Sequence, residues 1–150
     1  MRKRVLFLGS STTWEVPSGV DYCTARICGG GSGGGWQGVP TAGANSTVSC
    51  DAGVYSGVGS EPVMAAYMGE WATCLSGREF SGQSAFFASA RATSYMGMVP
   101  AAVNEFGIIL IPGETVSVTV GAGGAMGTLD PGSTGTANGG SGFVNIEYWT

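Results

Sequence analysis

The stretch FGIILIPGETVSVTVGAGGAMG, Phe106 to Gly127, decides the fold class. Val116, Val118 and Val120 alternate with Thr115, Ser117 and Thr119, the two-residue period of a half-buried β-strand. An apolar run ending at Ile111 precedes that strand. Between the two, Pro112-Gly113 fits the central positions of a type II turn, because proline fixes φ and glycine accepts the positive φ required next. After Val120 the chain runs into glycine.

Working outward, the same grammar occurs near the N-terminus. Thr13 to Val20 carries a proline turn at Pro17, Asp21 to Cys28 reads as a strand, and Gly29 to Gly35 is glycine with one serine. Each of these two units is expected to be a β-hairpin with a glycine-rich exit. A further strand, Phe143 to Trp149, follows the glycine-rich region 121–142, with Val144, Ile146 and Tyr148 on its candidate buried face. The middle of the chain, 60–102, is rich in Ala, Met and aromatics. Met64 to Ala72 and Pro100 to Phe106 suit a short helical turn, and Gly69 and Gly107 limit its length. Strands separated by turn signals place the chain in the all-β class, as a single domain of sandwich or jelly-roll-like form over 1–150.

Composition supports an ordered domain. Gly, Pro and Ser make up a third of the 150 residues, a bias often seen in disorder. Disorder, however, requires low hydrophobicity and high charge, whereas 43% of this chain is apolar and only 11% is charged. The glycines are therefore expected to hold defined positions. A net charge of −4, with three of the six basic residues at Arg2, Lys3 and Arg4, supplies no groove for a phosphate backbone, so nucleic acid is not an expected partner. So few charges leave a weakly hydrated surface, suited to burial against copies or neighbours. The basic start precedes an apolar run of only Val5 to Leu8, too short for a signal peptide, and reads as mature sequence. No apolar run approaches the length that crosses a membrane as a helix, and membrane insertion is not expected.

Reactive groups are sparse. The chain has no His, and Cys23, Cys28, Cys50 and Cys74 include no CxxC pair; Cys23 and Cys28, five apart on one strand, fall on opposite faces. They read as buried free thiols, with no metal site. Gly29, Gly31 and Gly34 formally satisfy GxGxxG, but the GWQGVP that follows cannot begin the helix whose dipole would hold a pyrophosphate. The run at Gly121 has Met126 at the third glycine position, and neither run leads into Lys-Ser or Lys-Thr, so no phosphate loop and no cofactor are expected. Without His, no Ser-His-Asp or Cys-His arrangement forms. Glu70 with Glu79 is the best carboxylate pair a glycosidase reading could find among scattered acids, and the chain is expected not to be an enzyme. Asn45-Ser46-Thr47 matches the glycosylation sequon, read as coincidence.

What is left is surface chemistry. Trp36, Tyr55, Tyr67, Trp71, Phe80, Phe86, Phe87 and Tyr95 lie among small residues, a composition that gives rigid contact area at low entropy cost. Of these, Trp36, Tyr55, Tyr67, Trp71, Phe86, Phe87 and Tyr95 are the candidate receptor-binding residues, on a variable stretch between about Val39 and Val103. Gly29, Gly31, Gly34, Gly121, Gly123, Gly124, Gly139 and Gly140 are the candidate structural glycines.

Several of these elements together carry a resemblance: Trp14-Glu15-Val16-Pro17-Ser18-Gly19-Val20, the run at Gly29, Ile111-Pro112-Gly113-Glu114 to Val120-Gly121-Ala122-Gly123-Gly124, and Gly139-Gly140-Ser141-Gly142 leading into a strand with Trp149. Over roughly residues 7–38 and 106–150 the chain resembles the glycine-rich domain at the ends of bacteriophage tail fibres and related adhesins. That resemblance implies a virion protein at the distal tail, homotrimeric and without enzymatic activity. It implies variable segments that touch a bacterial surface glycan or protein, and other phage tail or capsid proteins as neighbours. A structural virion component contacting only phage proteins is the alternative. On either reading the glycine runs are expected to be polyproline-II-like segments packed backbone to backbone.

Overall fold

The computed structural model describes residues 1–33, 41–61, 63–65, 95–97, 101–126 and 138–150, the two three-residue stretches as backbone strands alone. The elements are β1 (Lys3–Leu8), β2 (Thr12–Glu15), β3 (Tyr22–Cys28), β4 (Ser46–Cys50), β5 (Gly53–Gly57), β6 (Val63–Ala65), β7 (Tyr95–Gly97), β8 (Val103–Ile109), β9 (Thr115–Thr119) and β10 (Phe143–Trp149). There is no helix among the described residues. Two four-stranded antiparallel sheets, ordered β1-β10-β3-β8 (sheet A) and β2-β9-β4-β5 (sheet B), make an all-β sandwich, and β6 pairs with β7 separately.

Alternation builds the core. Val116 and Val118 of β9, and Val144, Ile146 and Tyr148 of β10, are buried as their period requires. They meet Cys23, Ala25 and Ile27 of β3, Val48 of β4 and Ile108 of β8 between the sheets. Aromatic pairs close both open sides. Trp14 tilts against Tyr148 with ring centroids 5.2 Å apart, and Tyr55 against Phe106 at 5.4 Å.

The expected hairpins are corrected by the structure: neither proline unit is one. β2 pairs with β9 and β3 with β8, so each proline turn carries the chain from one sheet to the other. The turn chemistry itself is as expected. The Glu114 amide donates to the Ile111 carbonyl at 3.0 Å, and Gly113 has φ +84°. In the first unit the Val20 amide reaches the Pro17 carbonyl at 3.1 Å, with Gly19 at φ +82°. Val16 and Val20, and likewise Leu110 and Val116, are all in the core, a set that a hairpin would bury equally well on one face of one sheet. What makes each turn an arch is the long-range pairing of its two strands with partners in different sheets. The two arches clasp each other through Gly113 N–H to Val16 C=O (2.9 Å), Val16 N–H to Glu114 C=O (2.9 Å) and Leu110 N–H to Asp21 C=O (2.8 Å).

Two other expectations change. Of Pro100 to Phe106, Pro100 is outside the described residues and 101–106 are not helical: Val103–Ile109 is strand β8, paired along its length with β3, so that tertiary pairing overrides a weak local preference. Of the proposed helical turn at Met64 to Ala72, Met64 lies in strand β6 and residues 66–72 are outside the described residues. The variable stretch was expected to begin near Val39. Residues 46–57 of it form the hairpin β4–β5 of sheet B, joined by Asp51-Ala52 with Gly53 at φ +142°.

Candidate functional site

At the end of the sandwich opposite the arches, β3, β5 and β9 run on into segments 29–33, 58–60 and 121–125, and segments 41–44 and 139–142 lead into β4 and β10. Successive amides of the first segment reach different neighbours. Gly30 donates to Ala44, Gly31 to Gly140, Ser32 to Ser60 Oγ and Gly33 to Thr41, at 2.8–3.0 Å. Gly30 and Gly33, three apart, thus address one segment. The same interval recurs where Thr41 donates to Ala125 and Ala44 to Ala122, and where Gly139 donates to Gly124 and Gly142 to Gly121. A period of three is that of the polyproline-II helix, so segments 29–33, 41–44, 121–125 and 139–142 pack side by side in polyproline-II fashion, and 58–60 joins them through Ser60 N–H to Gly30 C=O and Gly43 N–H to Ser60 C=O, both 3.0 Å.

Glycine is required by how closely these backbones approach. A β-carbon on Gly124 would fall on the Thr41 carbonyl oxygen, one on Gly123 on the Gly139 oxygen, and one on Gly139 on the Gly31 oxygen. Gly29 abuts Val58 and Gly59, and Gly121 abuts Ala44. Gly31 and Gly140 are joined by their hydrogen bond, and the Gly31 carbonyl also accepts from Gly124. Gly34 lies outside the described residues. Gly43, Gly59 and Gly142 have the same backbone-to-backbone crowding; Gly142 belongs to the closing 139–142 element, whereas Gly43 and Gly59, as isolated glycines, carried no signal in the sequence. With their amides committed to chain carbonyls, Gly30, Gly31 and Gly33 have no donors to offer a phosphate.

Direction gives this layer a pole. Segments 29–33, 58–60 and 121–125 all run away from the sandwich, and 41–44 and 139–142 return. The chain therefore leaves the layer after Gly33, after Ser60 and after Met126 at the same end. Those roots are bound together. Gly33 donates to the Thr41 carbonyl (3.0 Å), Ala125 to Thr41 Oγ1 (2.7 Å) and Met126 to Asn138 Oδ1 (2.9 Å). Asn45 of the sequon accepts the Gly59 amide at 2.9 Å, and buried Ser46 accepts the Gly121 amide at 2.9 Å, fastening layer to sandwich.

Of the candidate receptor-binding residues, Trp36, Tyr67, Trp71, Phe86 and Phe87 are outside the described residues. They belong to the sequence between the described roots. Tyr95 is in β7, opposite Ala65. Tyr55 is on strand β5 and half-buried against Phe106, which gives it a packing role on the side of the sandwich.

The outer faces of the two sheets contrast. Sheet B presents hydroxyls: Thr13 pairs with Ser117, Ser117 with Ser49, and Thr119 with Thr47. Sheet A presents Val5, Phe7, Tyr22, Val103, Ile109 and Trp149, all exposed, on either side of a line of charges. Lys3 Nζ contacts Glu147 Oε2 at 2.8 Å, Arg26 Nη1 contacts Glu147 Oε1 at 3.1 Å, and Arg26 Nε contacts Glu105 Oε2 at 2.7 Å. The hydrogen bond from Lys3 leads in holding the Glu147 carboxyl below its usual range, against partial desolvation, and the bond to Glu105 leads in raising the Arg26 guanidinium. Burial pushes the Cys23 thiol up to about 12 and raises Cys28; both cysteines are buried and on opposite faces of β3, as their spacing required. Among the described residues no group of acidic and thiol side chains could hold a metal ion, and no helix is long and apolar enough to cross a membrane.

No protein-family model matches this chain, and no curated protein matches it significantly.

Proposed function

We propose that this chain is a non-catalytic bacteriophage tail-fibre or tail-tip protein that binds a glycan or protein of the bacterial surface as a homotrimer. The observation that carries the reading is the common pole of the glycine layer. Three stretches of chain are rooted side by side on a backbone-bonded platform, and two of them contain Trp36, Tyr67, Trp71, Phe86 and Phe87. Recognition residues are characteristically carried by connections held on a rigid scaffold. A platform held mainly by backbone hydrogen bonds gives their roots fixed positions while their sequences are free to vary, and several copies in one assembly add avidity to weak individual contacts.

The exposed apolar face of sheet A favours a second reading, a structural virion component that contacts only phage proteins. One experiment separates the two. Phage carrying Trp71→Ala, or Phe86→Ala with Phe87→Ala, are expected to assemble normally and to lose adsorption to host cells. Loss of assembled particles supports the structural component, and unchanged adsorption together with unchanged assembly refutes the receptor-binding reading.

A further inference from the structure

We infer that the outer face of sheet A is a two-fold contact surface for a second copy of this chain. This inference does not rest on the receptor-binding reading. The order of charge across the four strands carries it: Lys3 on β1, Glu147 on β10, Arg26 on β3 and Glu105 on β8, alternately positive and negative. Their side chains all project from the outer face, because their neighbours Cys23, Ala25, Ile27, Ile108, Ile146 and Tyr148 project into the core.

Such a line is antisymmetric. Let two copies pack face to face about a two-fold axis lying in the interface and crossing the line at right angles between Glu147 and Arg26. The line then meets its own reverse. Lys3 opposes the second copy's Glu105 and Glu147 opposes its Arg26, so each of the four charges meets an opposite one. A two-fold contact must be complementary to itself, and most charge arrangements fail that requirement. The line is also neutral overall, which gives no preference for an acidic or a basic foreign partner.

The apolar residues obey the same symmetry. Trp149, Tyr22 and Ile109 lie on one side of the line, and Phe7 and Val103 on the other, with Phe143 stacked on Phe7 at a centroid distance of 5.4 Å. The axis keeps each group on its own side, so each meets its own counterpart. Ile109 is 71% exposed and Phe7 58%. With the charged line between them, the two apolar groups make a face of roughly the 800 Å² that each partner of a stable pair buries. Sheet B presents mostly hydroxyls outward, with Val54 as its exposed large apolar residue, and has no comparable surface.

The test is native mass spectrometry and light scattering of the purified chain with charge reversals. Lys3→Glu alone opposes like charges between copies, as does Glu105→Lys alone, and each is expected to raise the dissociation midpoint by about tenfold or more. Lys3→Glu combined with Glu105→Lys restores opposite charges between copies and leaves both intrachain ion pairs broken. The combination is expected to recover association even though it is the worst case within one chain. Circular dichroism confirms that each variant is folded, and Phe7→Glu provides a dissociating change that touches no ion pair. A dimer supports the inference and removes the homotrimer from the proposed function; a hexamer supports both. A monomer, a lone trimer, or a double reversal weaker than either single one overturns the inference, whatever the adsorption experiment shows.

Discussion

Replacing Gly124 by alanine tests the glycine layer through the sign of its effect. Gly124 has no positive φ, so alanine meets no torsional objection. In an open site Gly→Ala stabilises by about 0.4–1 kcal/mol by restricting the unfolded chain. Here the new β-carbon would fall on the Thr41 carbonyl oxygen, with the Gly33 nitrogen 2.7 Å away. Restoring ordinary contact moves segment 121–125 off its neighbours by on the order of 1 Å. The bonds in the path are Gly124 N–H to Gly31 C=O (2.8 Å), Ala44 N–H to Ala122 C=O (2.9 Å) and Thr41 N–H to Ala125 C=O (3.0 Å). At about 1–1.5 kcal/mol for each bond lost, the substitution is expected to cost about 3–4 kcal/mol. For a domain of this size that lowers Tm by about 10 °C. Gly9, with no heavy atom near its β-carbon position, is the control, and Gly9→Ala is expected to stay within about 1 kcal/mol of the parent. Thermal and urea unfolding followed by circular dichroism reads both. A Gly124→Ala protein that melts at or above the parent temperature would refute the close-packed layer and return these segments to the status of linkers.

Three further outcomes follow from the same structure. Gly113→Ala, at φ +84° with open space around it, is expected to lose about 1–2 kcal/mol through backbone strain alone; Gly113→Asn should recover part of it, and equal losses would argue against a torsional origin. Cys23 and Cys28 are buried and are expected to resist iodoacetamide until urea unfolds the chain. Because the folded Cys23 thiol is raised to about 12, its contribution is complete below the unfolded value of about 8.5 and is lost as pH rises towards the folded one. Native-state labelling of Cys23 as fast as in urea would contradict this. For Glu147 the sign is opposite. Its lowered carboxyl pKa adds stability above the unfolded value of about 4.3 that disappears as pH falls through the folded value, so Glu147→Gln is expected to flatten the acid limb of the Tm profile, and an unchanged limb would show the ion pairs to be inert.

Much of the sandwich was legible because alternation reports burial directly. Val116 and Val118, and Val144, Ile146 and Tyr148, are buried where their period puts them, and Pro112-Gly113 makes the expected turn. Alternation does not say which sheet a strand joins. A strand leaving Gly19 or Gly113 has the same inward set in an arch as in a hairpin, and the difference lies in pairings such as Tyr22 with Ile109, more than eighty positions apart. The hairpin β4–β5 was hidden for another reason: with Ser, Thr and Gly around a single fully buried valine, Val48, it offers little hydrophobic period.

The glycine layer was half legible. Runs at Gly29, Gly121 and Gly139 announced themselves, whereas Gly43 and Gly59 are required by the neighbouring backbone carbonyls they face. A contact of that kind leaves no compositional trace. The polar line across sheet A was likewise beyond the sequence, because Lys3, Arg26, Glu105 and Glu147 become neighbours only through the register of four strands. Tyr55 read as a recognition residue from composition alone. Its pairing with Phe106 across the edge of the sandwich gives it a use that composition does not distinguish.

The central proposal, that this is a protein of the phage tail whose recognition segments are rooted on the glycine layer, is tested most directly by electron microscopy of intact particles labelled with antibody to this chain. The account predicts label at the distal end of the tail. Label confined to the capsid, or particles that carry none, would contradict it.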